Sequence, residues 1–379
     1  GRSIAPASSF CIDGGRHKIH PQTNIQSSLR ETGVFLYPSF RFIAYADQWL
    51  HFQQKIDKKL SDLTMKKNNL IIPLLTGQSV GRNKPTVVKV SLPSVVEVEK
   101  FNTAHLEFRL KCANGTLDRT CPIWDRIVPV TLQCESNETF ELGRWINPFR
   151  RANGRWITNV TSLFPRLTAS KDRFQSQKCQ LSISILTIGD KLWSPYLNLI
   201  LSNESGRSNK PNEIVQLWPH RQYAFNQSYA KNFPPAAILP QLLQNVHKVE
   251  LVAVITGHGA DSNQCAEFCN QTHSFYVGNA PPLNISFHDA GTQFGCAERV
   301  PEGVVPNEHG TWLYGRGGWC DGQQVSPHVL DISRLAFSGN LPKMIVYNAT
   351  NEGHAPNPNP NQGRAAYIDV NIFLSLWKF

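Results

Sequence analysis

The sequence is poor in charged residues and in methionine, and it contains no long apolar run. Asp, Glu, Lys and Arg make up 17% of the 379 residues against 41% hydrophobic residues, a balance that argues against a disordered chain. No stretch of about 18 apolar residues occurs, so we predict no membrane-spanning helix. With two Met and no His-x-His or His-His pair, the sequence also argues against copper chemistry, which needs clustered His and Met ligands.

The chain carries a formal charge of +10, which raises the question of a nucleic-acid partner. The basic residues are scattered, runs such as Lys58-Lys59 and Lys66-Lys67 are short, and no aromatic-basic motif recurs. We therefore predict no nucleic-acid partner and interpret the charge as a solvated basic surface. An acidic glycan or a negatively charged cell surface is the functional alternative.

The nine cysteines include two close pairs, Cys265 with Cys269 and Cys112 with Cys121. Such short spacings are typical of disulfides that staple loops in an oxidising compartment. Zinc is the competing interpretation, but Cys265, Cys269 and His273 lack a clean second ligand pair. The odd number leaves one thiol free or bonded to another chain, and Cys11 is the first candidate for such a link.

Eight Asn-x-Ser/Thr sequons accompany the cysteines and indicate a glycosylated, exported protein. They begin at Asn114, Asn137, Asn159, Asn203, Asn226, Asn270, Asn284 and Asn348. We expect a secreted protein that is extracellular or lumenal in the secretory or endolysosomal system. The chain starts at Gly1 without Met or an apolar leader, so we expect any signal peptide to have been removed.

The length favours two domains with an extension. Ala44–Leu63 places Trp49, Leu50, Phe52, Ile56, Leu60 and Leu63 at spacings near 3.6, which predicts one amphipathic helix. From Thr86 onward every second residue is apolar in short segments such as VVKVSL, HLEFRL, IVPVTL and YLNLILS. That alternation is typical of half-buried antiparallel strands.

A polar gap at Ser202–Asn212 is the predicted linker, and alternation resumes beyond it in segments such as KVELVAVITG and MIVYNA. We predict an all-β protein with two antiparallel β-sandwiches side by side. The predicted divisions are a mixed N-terminal extension at 1–85, a first sandwich at 86–203 and a second at 204–379.

Three segments at predicted boundaries between loops and strands are rich in polar, aromatic and Gly residues. They are Cys121–Arg126, then Ile255–Ala260 with the following Cys265–His273, and Gly310–Cys320.

Asp125 lies between Trp124 and Arg126, so desolvation would raise its pKa and a guanidinium would lower it, as in a tuned acid or base. A simple ion pair at a strand start explains the same residues. The glycines around Arg316 suit close approach by a ligand, although turn geometry also explains them. Aromatic side chains could stack on sugars, but aromatics in sandwiches more often fill the core.

Four ordered landmarks resemble the peptide:N-glycosidase F family: CPIWDR at Cys121–Arg126, FELGRW-I-x-P at Phe140–Pro148, CAEFC-x2-TH at Cys265–His273 and GTW-x3-R-x-GWC at Gly310–Cys320. The resemblance runs from about residue 88 to the end. It implies two eight-stranded jelly rolls with a site in the cleft between them. It also implies the disulfides Cys112–Cys121, Cys265–Cys269 and Cys296–Cys320, which leave Cys134–Cys179 as a plausible fourth.

That family hydrolyses the amide joining Asn to the first N-acetylglucosamine of an N-glycan, so the implied partner is an N-glycan or N-glycoprotein. By resemblance Asp125 is the principal catalytic carboxylate and Glu267 the second. The predicted substrate contacts are Arg126, Arg316, Trp124, Trp312, His258 and Asp190. Neither a metal nor an organic cofactor is expected.

The chain departs from the family at a third acidic residue that is followed two positions later by Trp. Leu186 and Ile188 align there, and Asp190 lies just beyond as a substitute on the same strand face. Asn270 also begins a sequon inside the second landmark, where a glycan would cover part of the cleft. These departures leave two hypotheses: a working glycoamidase, or an inactive glycan-binding or structural glycoprotein on the same scaffold.

Overall fold

A computed structural model describes residues 40–65, 68–82, 84–113, 120–134, 138–150, 154–170, 172–204, 210–259, 265–307, 310–340, 342–356 and 366–379. Cys11 and the sequons at Asn114 and Asn137 lie outside the described residues. Within this part, sixteen strands form four antiparallel four-stranded sheets, which build two β-sandwiches. The predicted all-β class is confirmed.

The first sandwich contains eight strands: β1 Leu70–Thr76, β2 Thr86–Leu92, β3 Thr103–Cys112, β4 Ile127–Gln133, β5 Thr139–Ile146, β6 Gly154–Asn159, β7 Gln177–Ile183 and β8 Trp193–Ser202. Its sheets have the orders β1-β8-β3-β6 and β2-β7-β4-β5. The core between them includes Phe108 stacked on Trp145, with 4.3 Å between ring centroids. Because β1 pairs with β8, the first sandwich starts earlier than the predicted boundary at residue 86.

The second sandwich also contains eight strands: β9 Glu213–Ala224, β10 Ala236–Ile238, β11 Val246–His258, β12 Gln271–Val277, β13 Leu283–Ser286, β14 His328–Asp331, β15 Lys343–Asn351 and β16 Tyr367–Lys378. Its sheets have the orders β10-β15-β12-β13 and β14-β11-β16-β9. The long β11–β16 pair runs from Val246 opposite Lys378 to His258 opposite Tyr367. This pair carries His258 towards the end of the sandwich where the candidate site lies.

The described helices are α1 Phe40–Thr64, α2 Val95–Val98, α3 Phe164–Leu167 and α4 Ser333–Phe337, with short 3-10 turns at Thr161–Leu163, Tyr229–Asn232, Pro240–Leu243 and Ala297–Glu302. The predicted helix at Ala44–Leu63 is present within α1, which confirms it. Ser94 and Glu97 form a reciprocal capping box at the start of α2, which explains why so short a helix begins there. None of the helices among the described residues has the length and apolar character needed to cross a bilayer.

Helix α1 packs on both sandwiches. Ile56 and Leu63 belong to a buried cluster with Ile157 of β6 and Ile200 of β8 in the first sandwich. Tyr45 meets Trp312 of the second sandwich edge-on, with 5.6 Å between centroids. Phe52 lies so close to Gly303 that a Cβ at that glycine would collide with its ring, and Gly303 has a φ of +110°. The helix therefore ties the N-terminal region to both halves of the molecule.

Shortening Ile56 to Ala is expected to destabilise the protein by about 2–4 kcal/mol, because it leaves a cavity in the contact between α1 and the first sandwich. Ile56 is 7% exposed, whereas Leu50 of the same helix is 60% exposed. Leu50→Ala is therefore the matched control, with an expected change within about 0.5 kcal/mol. Urea unfolding of both variants tests the packing, and equal free energies of unfolding would contradict it.

Four disulfides connect the described cysteines: Cys112–Cys121, Cys134–Cys179, Cys265–Cys269 and Cys296–Cys320. All four predicted pairs are present. Cys134–Cys179 joins the end of β4 to the neighbouring strand β7. The other three flank the segments that carry the candidate site residues.

A buried charge cluster connects the two sandwiches. Arg144 of β5 contacts Glu141 on its own strand at 2.7 Å and Asp369 of β16 at 2.8 Å. Arg144 also donates to the Thr256 hydroxyl of β11 at 3.0 Å, and His220 Nε2 lies 2.9 Å from Asp369. Burial alone would raise the pKa of Asp369, but Arg144 and His220 outweigh it and hold that pKa well below its ordinary value. Asp369 therefore stays ionised, and its pairing with Arg144 fixes one sandwich against the other.

Candidate functional site

Asp125 lies between the Cys112–Cys121 disulfide and the start of β4. Asn147, which follows β5, holds this segment in place because its side chain accepts from the Arg126 amide at 3.0 Å and donates to the Trp124 carbonyl at 2.7 Å. Asn147 is fully buried. The backbone on both sides of Asp125 is therefore fixed, and its side chain is 5% exposed.

Glu267 lies within the small ring closed by Cys265 and Cys269. Its amide donates to the Gly259 carbonyl at 3.2 Å, and the Gly259 amide donates to Glu267 Oε2 at 3.3 Å. The ring and these two bonds attach the segment to the end of β11. They fix the position of the carboxylate, which is 15% exposed.

Arg316 bridges the two acids. Its Nε donates to Glu267 Oε1 at 3.2 Å, and its Nη2 lies 3.2 Å from Asp125 Oδ2, an ionic contact outside hydrogen-bond geometry. Nη2 also donates to the Thr311 hydroxyl at 2.9 Å, and the guanidinium lies 4.6 Å from the centre of the Trp319 ring. Arg316 is fully buried. The acid of the first sandwich and the acid of the second therefore share one cation.

These contacts hold Arg316 between the two acids, and its predicted contact with a substrate stays a prediction. Arg126 is half-buried, and its Nε has no hydrogen-bond partner among the described residues. The predicted contact of Arg126 with a substrate stays a prediction.

The glycines around Arg316 serve the chain itself. A Cβ at Gly315 would collide with the Asp289 carbonyl, and one at Gly317 would collide with the Ala266 carbonyl. The Gly317 amide also donates to the Glu267 carbonyl at 2.7 Å. Close approach of backbone to backbone therefore explains this run, and close approach of a ligand is not needed to account for it.

Burial raises the pKa of Asp125 to about 6. Arg316 opposes the rise, the charge of Glu267 adds to it, and Arg126 opposes it further. These are the opposed influences that Trp124 and Arg126 suggested in the sequence. A carboxyl group with a pKa near the working pH is suited to accepting and returning protons.

Asp321 is a further acid at this site that the sequence analysis did not identify. It follows Cys320 of the Cys296–Cys320 disulfide and is fully buried. Burial raises its pKa well above the ordinary value, the charge of Asp125 raises it further, and Arg316 opposes the rise. Its only signal in the sequence was a carboxylate directly after the GWC landmark.

The predicted aromatic contacts divide into open and covered residues. Trp124 is half-buried beside Asp125 and meets Phe149 edge-on at 6.2 Å. Trp312 is 5% exposed and packed against Tyr45 of α1, so its ring lies in the core and not on an open surface. Of the two, Trp124 is the more exposed, and the predicted contacts of both residues with a substrate stay predictions.

His258 is buried between the rings of Trp319 and Tyr367, at 4.9 and 5.1 Å between centroids. Burial lowers its pKa to about 3, so it is neutral at ordinary pH. Its Nε2 lies 2.8 Å from the Thr256 hydroxyl. The predicted contact of His258 with a substrate stays a prediction, and in this structure the residue supports Trp319.

The sequence alignment placed Leu186 and Ile188 on a strand, but β7 ends at Ile183. Leu186 and Ile188 lie beyond the strand, 42% and 56% exposed. Asp190 is fully exposed and lies 3.7 Å from Arg82. The role assigned to Asp190 stays a prediction. The third carboxyl group beside Asp125 and Glu267 in this structure is Asp321, whose pKa is raised by the charge of Asp125.

Among the described residues, no group of three or more His, Cys, Asp or Glu side chains is arranged to hold a metal ion. The Asn residues of the six described sequons differ in their exposure to solvent. Asn159, Asn203 and Asn284 are exposed, and Asn226, Asn270 and Asn348 are partly buried. Asn270 directly follows the Cys265–Cys269 ring, so a glycan there would stand next to Glu267.

Fold and site together define a two-sandwich protein whose acids meet across the domain junction. A family model described as peptide-N-glycosidase F, C terminal, matches residues 225–375. Peptide-N(4)-(N-acetyl-beta-D-glucosaminyl)asparagine amidase F from Elizabethkingia miricola is 25% identical over 264 residues, 64% of this chain and 67% of that protein.

Solved structures share the fold. PNGase F, a glycosylasparaginase from Flavobacterium meningosepticum, superposes with a TM-score of 0.57 at 17% identity, covering 82% of this chain and 96% of that one. PNGF-II gives a TM-score of 0.54 at 14% identity, covering 83% and 66%. Residues 225–375 thus match the C-terminal model of the peptide-N-glycosidase F family, and the chain shares the fold of the solved structures, which supports the resemblance that the four landmarks predicted.

Proposed function

We propose that this protein is a secreted or lumenal amidohydrolase that cleaves the amide between Asn and the first N-acetylglucosamine of N-glycoproteins. The observation that carries the proposal is the bridge from Asp125 through Arg316 to Glu267, which joins one acid from each sandwich. The relatives' names describe an asparagine amidase and a glycosylasparaginase, and both support this substrate class.

The chemistry needs a base, an oriented water and a donor for negative charge. Asp125, with a pKa of about 6, is ionised at neutral pH and accepts a proton from the attacking water. Water oxygen bonds to the amide carbon, and the developing oxyanion is met by Arg126. The carbon–nitrogen bond then breaks as the nitrogen takes up the proton, giving Asp and a glycosylamine. Glu267 orders the water and contacts the core sugars.

Glycopeptide hydrolysis tests the proposal directly. A peptide with a single N-glycan should gain about one dalton relative to its Asn form, because Asn becomes Asp, and the glycan should be recovered with its amine. The matched control is the same peptide carrying the sugar on Ser, which has no amide and should remain intact. Absence of the mass change for every N-glycan tried would overturn the proposal.

The rate of glycan release should rise with pH around 6. The sign follows from the raised pKa of Asp125: below pH 6 the carboxyl is protonated and cannot accept a proton, and above it the carboxylate is available. We expect about a tenfold fall in kcat/KM per pH unit on the acid side. A pH profile of kcat/KM measures this, and an acid limb centred near pH 4 would show that Asp125 is not the titrating base.

A second candidate function is glycan binding without turnover. The exposed apolar Leu186 and Ile188, at the positions where an acidic residue and Trp were expected, favour it. In that case Arg126, Trp124 and Glu267 would hold a glycan that is never cleaved. Retention of an intact N-glycopeptide by the protein, with no mass change after prolonged incubation, is the result that would support this candidate.

A further inference from the structure

The loop that follows the Cys296–Cys320 disulfide carries an acid into the junction between the sandwiches. The Gln323 carbonyl accepts from the Ile146 amide at 2.8 Å, so this loop of the second sandwich continues along the end of β5 in the first. Gly322, with a φ of +64°, packs so closely on Val305 that an added Cβ would collide with its side chain. The chain is therefore held tightly on the C-terminal side of Asp321.

The same end of β5 positions Asp125. Asn147 forms hydrogen bonds with the backbone on both sides of Asp125. The backbone of Phe149, two residues after Asn147, lies beside Asp321. Asn307 in turn donates to the Phe149 carbonyl at 2.6 Å. One short segment thus sets the placement of both acids.

Three of the four oxygens in these two carboxyl groups lack a hydrogen bond, although Arg316 lies 3.2 Å from one of them, Asp125 Oδ2. Both oxygens of Asp321 and Oδ2 of Asp125 are buried without a hydrogen-bond partner among the described residues. A buried carboxylate without a hydrogen-bond partner is costly, and a second negative charge nearby adds to that cost, so one of the two acids is better kept protonated. The Phe149 backbone lowers the pKa of Asp321 only in part, because it forms no hydrogen bond of ordinary geometry with the carboxyl group.

We propose that Asp321 is a positioning residue that holds a proton behind Asp125, so that the site contains a carboxyl pair with one proton. The charged groups that act on Asp321 are Asp125 and Arg316, and a further cation, Arg299, lies 3.7 Å from Sγ of the neighbouring Cys320. Asp125 then ionises while Asp321 stays neutral, because the charge of Asp125 opposes a second charge on Asp321. Where the proposed function holds, this pair keeps Asp125 in its working state.

The test uses the full chain and does not depend on activity. Asp321→Asn resembles the protonated acid, and Asp331→Asn on β14 is the control because Asp331 is exposed and hydrogen bonds from Ser333 lower its pKa. In the folded wild type Asp321 keeps its proton, whereas in the unfolded chain it releases the proton near pH 4. The free energy of unfolding of wild type therefore falls as the pH rises above about 4. The folding equilibrium constant of wild type relative to Asp321→Asn should fall by up to tenfold per pH unit above about pH 4.

Asp331→Asn should show no such fall above pH 5. A ratio between wild type and Asp321→Asn that stays constant from pH 4 to pH 9 would overturn the proposal, because Asp321 would then ionise as an ordinary surface acid does.

Infrared spectroscopy gives a second readout if Asp321→Asn fails to fold. Wild type should retain the absorption of a protonated carboxyl group above pH 7, after Asp125 has ionised. In Asp125→Asn that absorption should disappear at a lower pH, since the charge that opposes ionisation of Asp321 is gone. No protonated carboxyl group above pH 7, or no change in its titration in Asp125→Asn, would contradict the pair.

The rate profile separates this inference from the proposed function. In wild type, release should decline again at alkaline pH as Asp321 ionises, and Asp321→Asn should lack that decline while keeping the acid limb near pH 6. If the variant keeps the alkaline decline, Asp321 is not the proton carrier, although the hydrolysis itself stands.

Discussion

Asp125→Asn is expected to slow glycan release by about 10²–10⁴-fold, because the amide side chain cannot accept the proton of the attacking water. The change keeps the size of the side chain, and Asn147 continues to hold the surrounding backbone. Asp331→Asn on the surface of β14 is the matched control and should leave the rate unchanged. Rates of single-glycopeptide hydrolysis measured by mass spectrometry give the comparison.

The same substitution should stabilise the protein at neutral pH. Burial raises the pKa of Asp125 to about 6, whereas an unfolded Asp titrates near 3.8. The stability contributed by its protonated form is complete below pH 4 and is lost as pH rises through 6. Asn avoids that loss, which amounts to about 3 kcal/mol. A variant that is less active and no more stable at pH 8 than wild type would show that burial is not what tunes Asp125.

Arg144→Met should destabilise the protein by about 3–5 kcal/mol, since it leaves Glu141 and Asp369 buried without their main cation. The side chains of those two acids are only 2% and 1% exposed. His220 would remain, but its side chain is 22% exposed and contacts Asp369 alone at hydrogen-bond distance. Because the cluster joins the sandwiches, loss of this cation should also loosen the junction where Asp125 and Glu267 meet.

Arg173→Met provides the control for Arg144, because Arg173 pairs with Glu99 on the surface, at 54% and 42% side-chain exposure. Exposed pairs contribute about 0–1 kcal/mol, so this variant should unfold almost as wild type does. Urea unfolding at pH 7 measures both variants. A similar, small loss in each would show that the buried cluster does not hold the sandwiches together.

Alternation predicted the inner strands well and missed edge strands. Strands β4 and β8 were readable because buried and less buried residues alternate along β4 and along the first part of β8. Both β1 and β9 were missed, and each contains an interior proline, Pro73 and Pro219. Each is an edge strand with an irregular register near its proline, which is where a sheet tolerates that residue.

The candidate site was predictable where a motif fixed the local chain and unpredictable where two distant segments met. Asp125 and Glu267 stood beside cysteines whose pairing restricts the backbone. Asp321 also follows a cysteine, but its importance, like that of Asn147, arises from the packing of one loop against the end of β5, which the sequence does not reveal. The position of Trp312 was unpredictable in the same way, since its contact with Tyr45 of helix α1 joins two distant segments, and its predicted contact with a substrate stays a prediction.

The central claim is that acids from the two sandwiches act as one site around Arg316. The most direct test is a double-mutant cycle in kcat/KM for glycopeptide hydrolysis with Asp125→Asn, Glu267→Gln and the two combined. Residues that act as a unit give losses that do not add, so the combined variant should be little slower than Asp125→Asn alone. Losses that multiply in full would mean that the two acids work independently and would contradict a shared site.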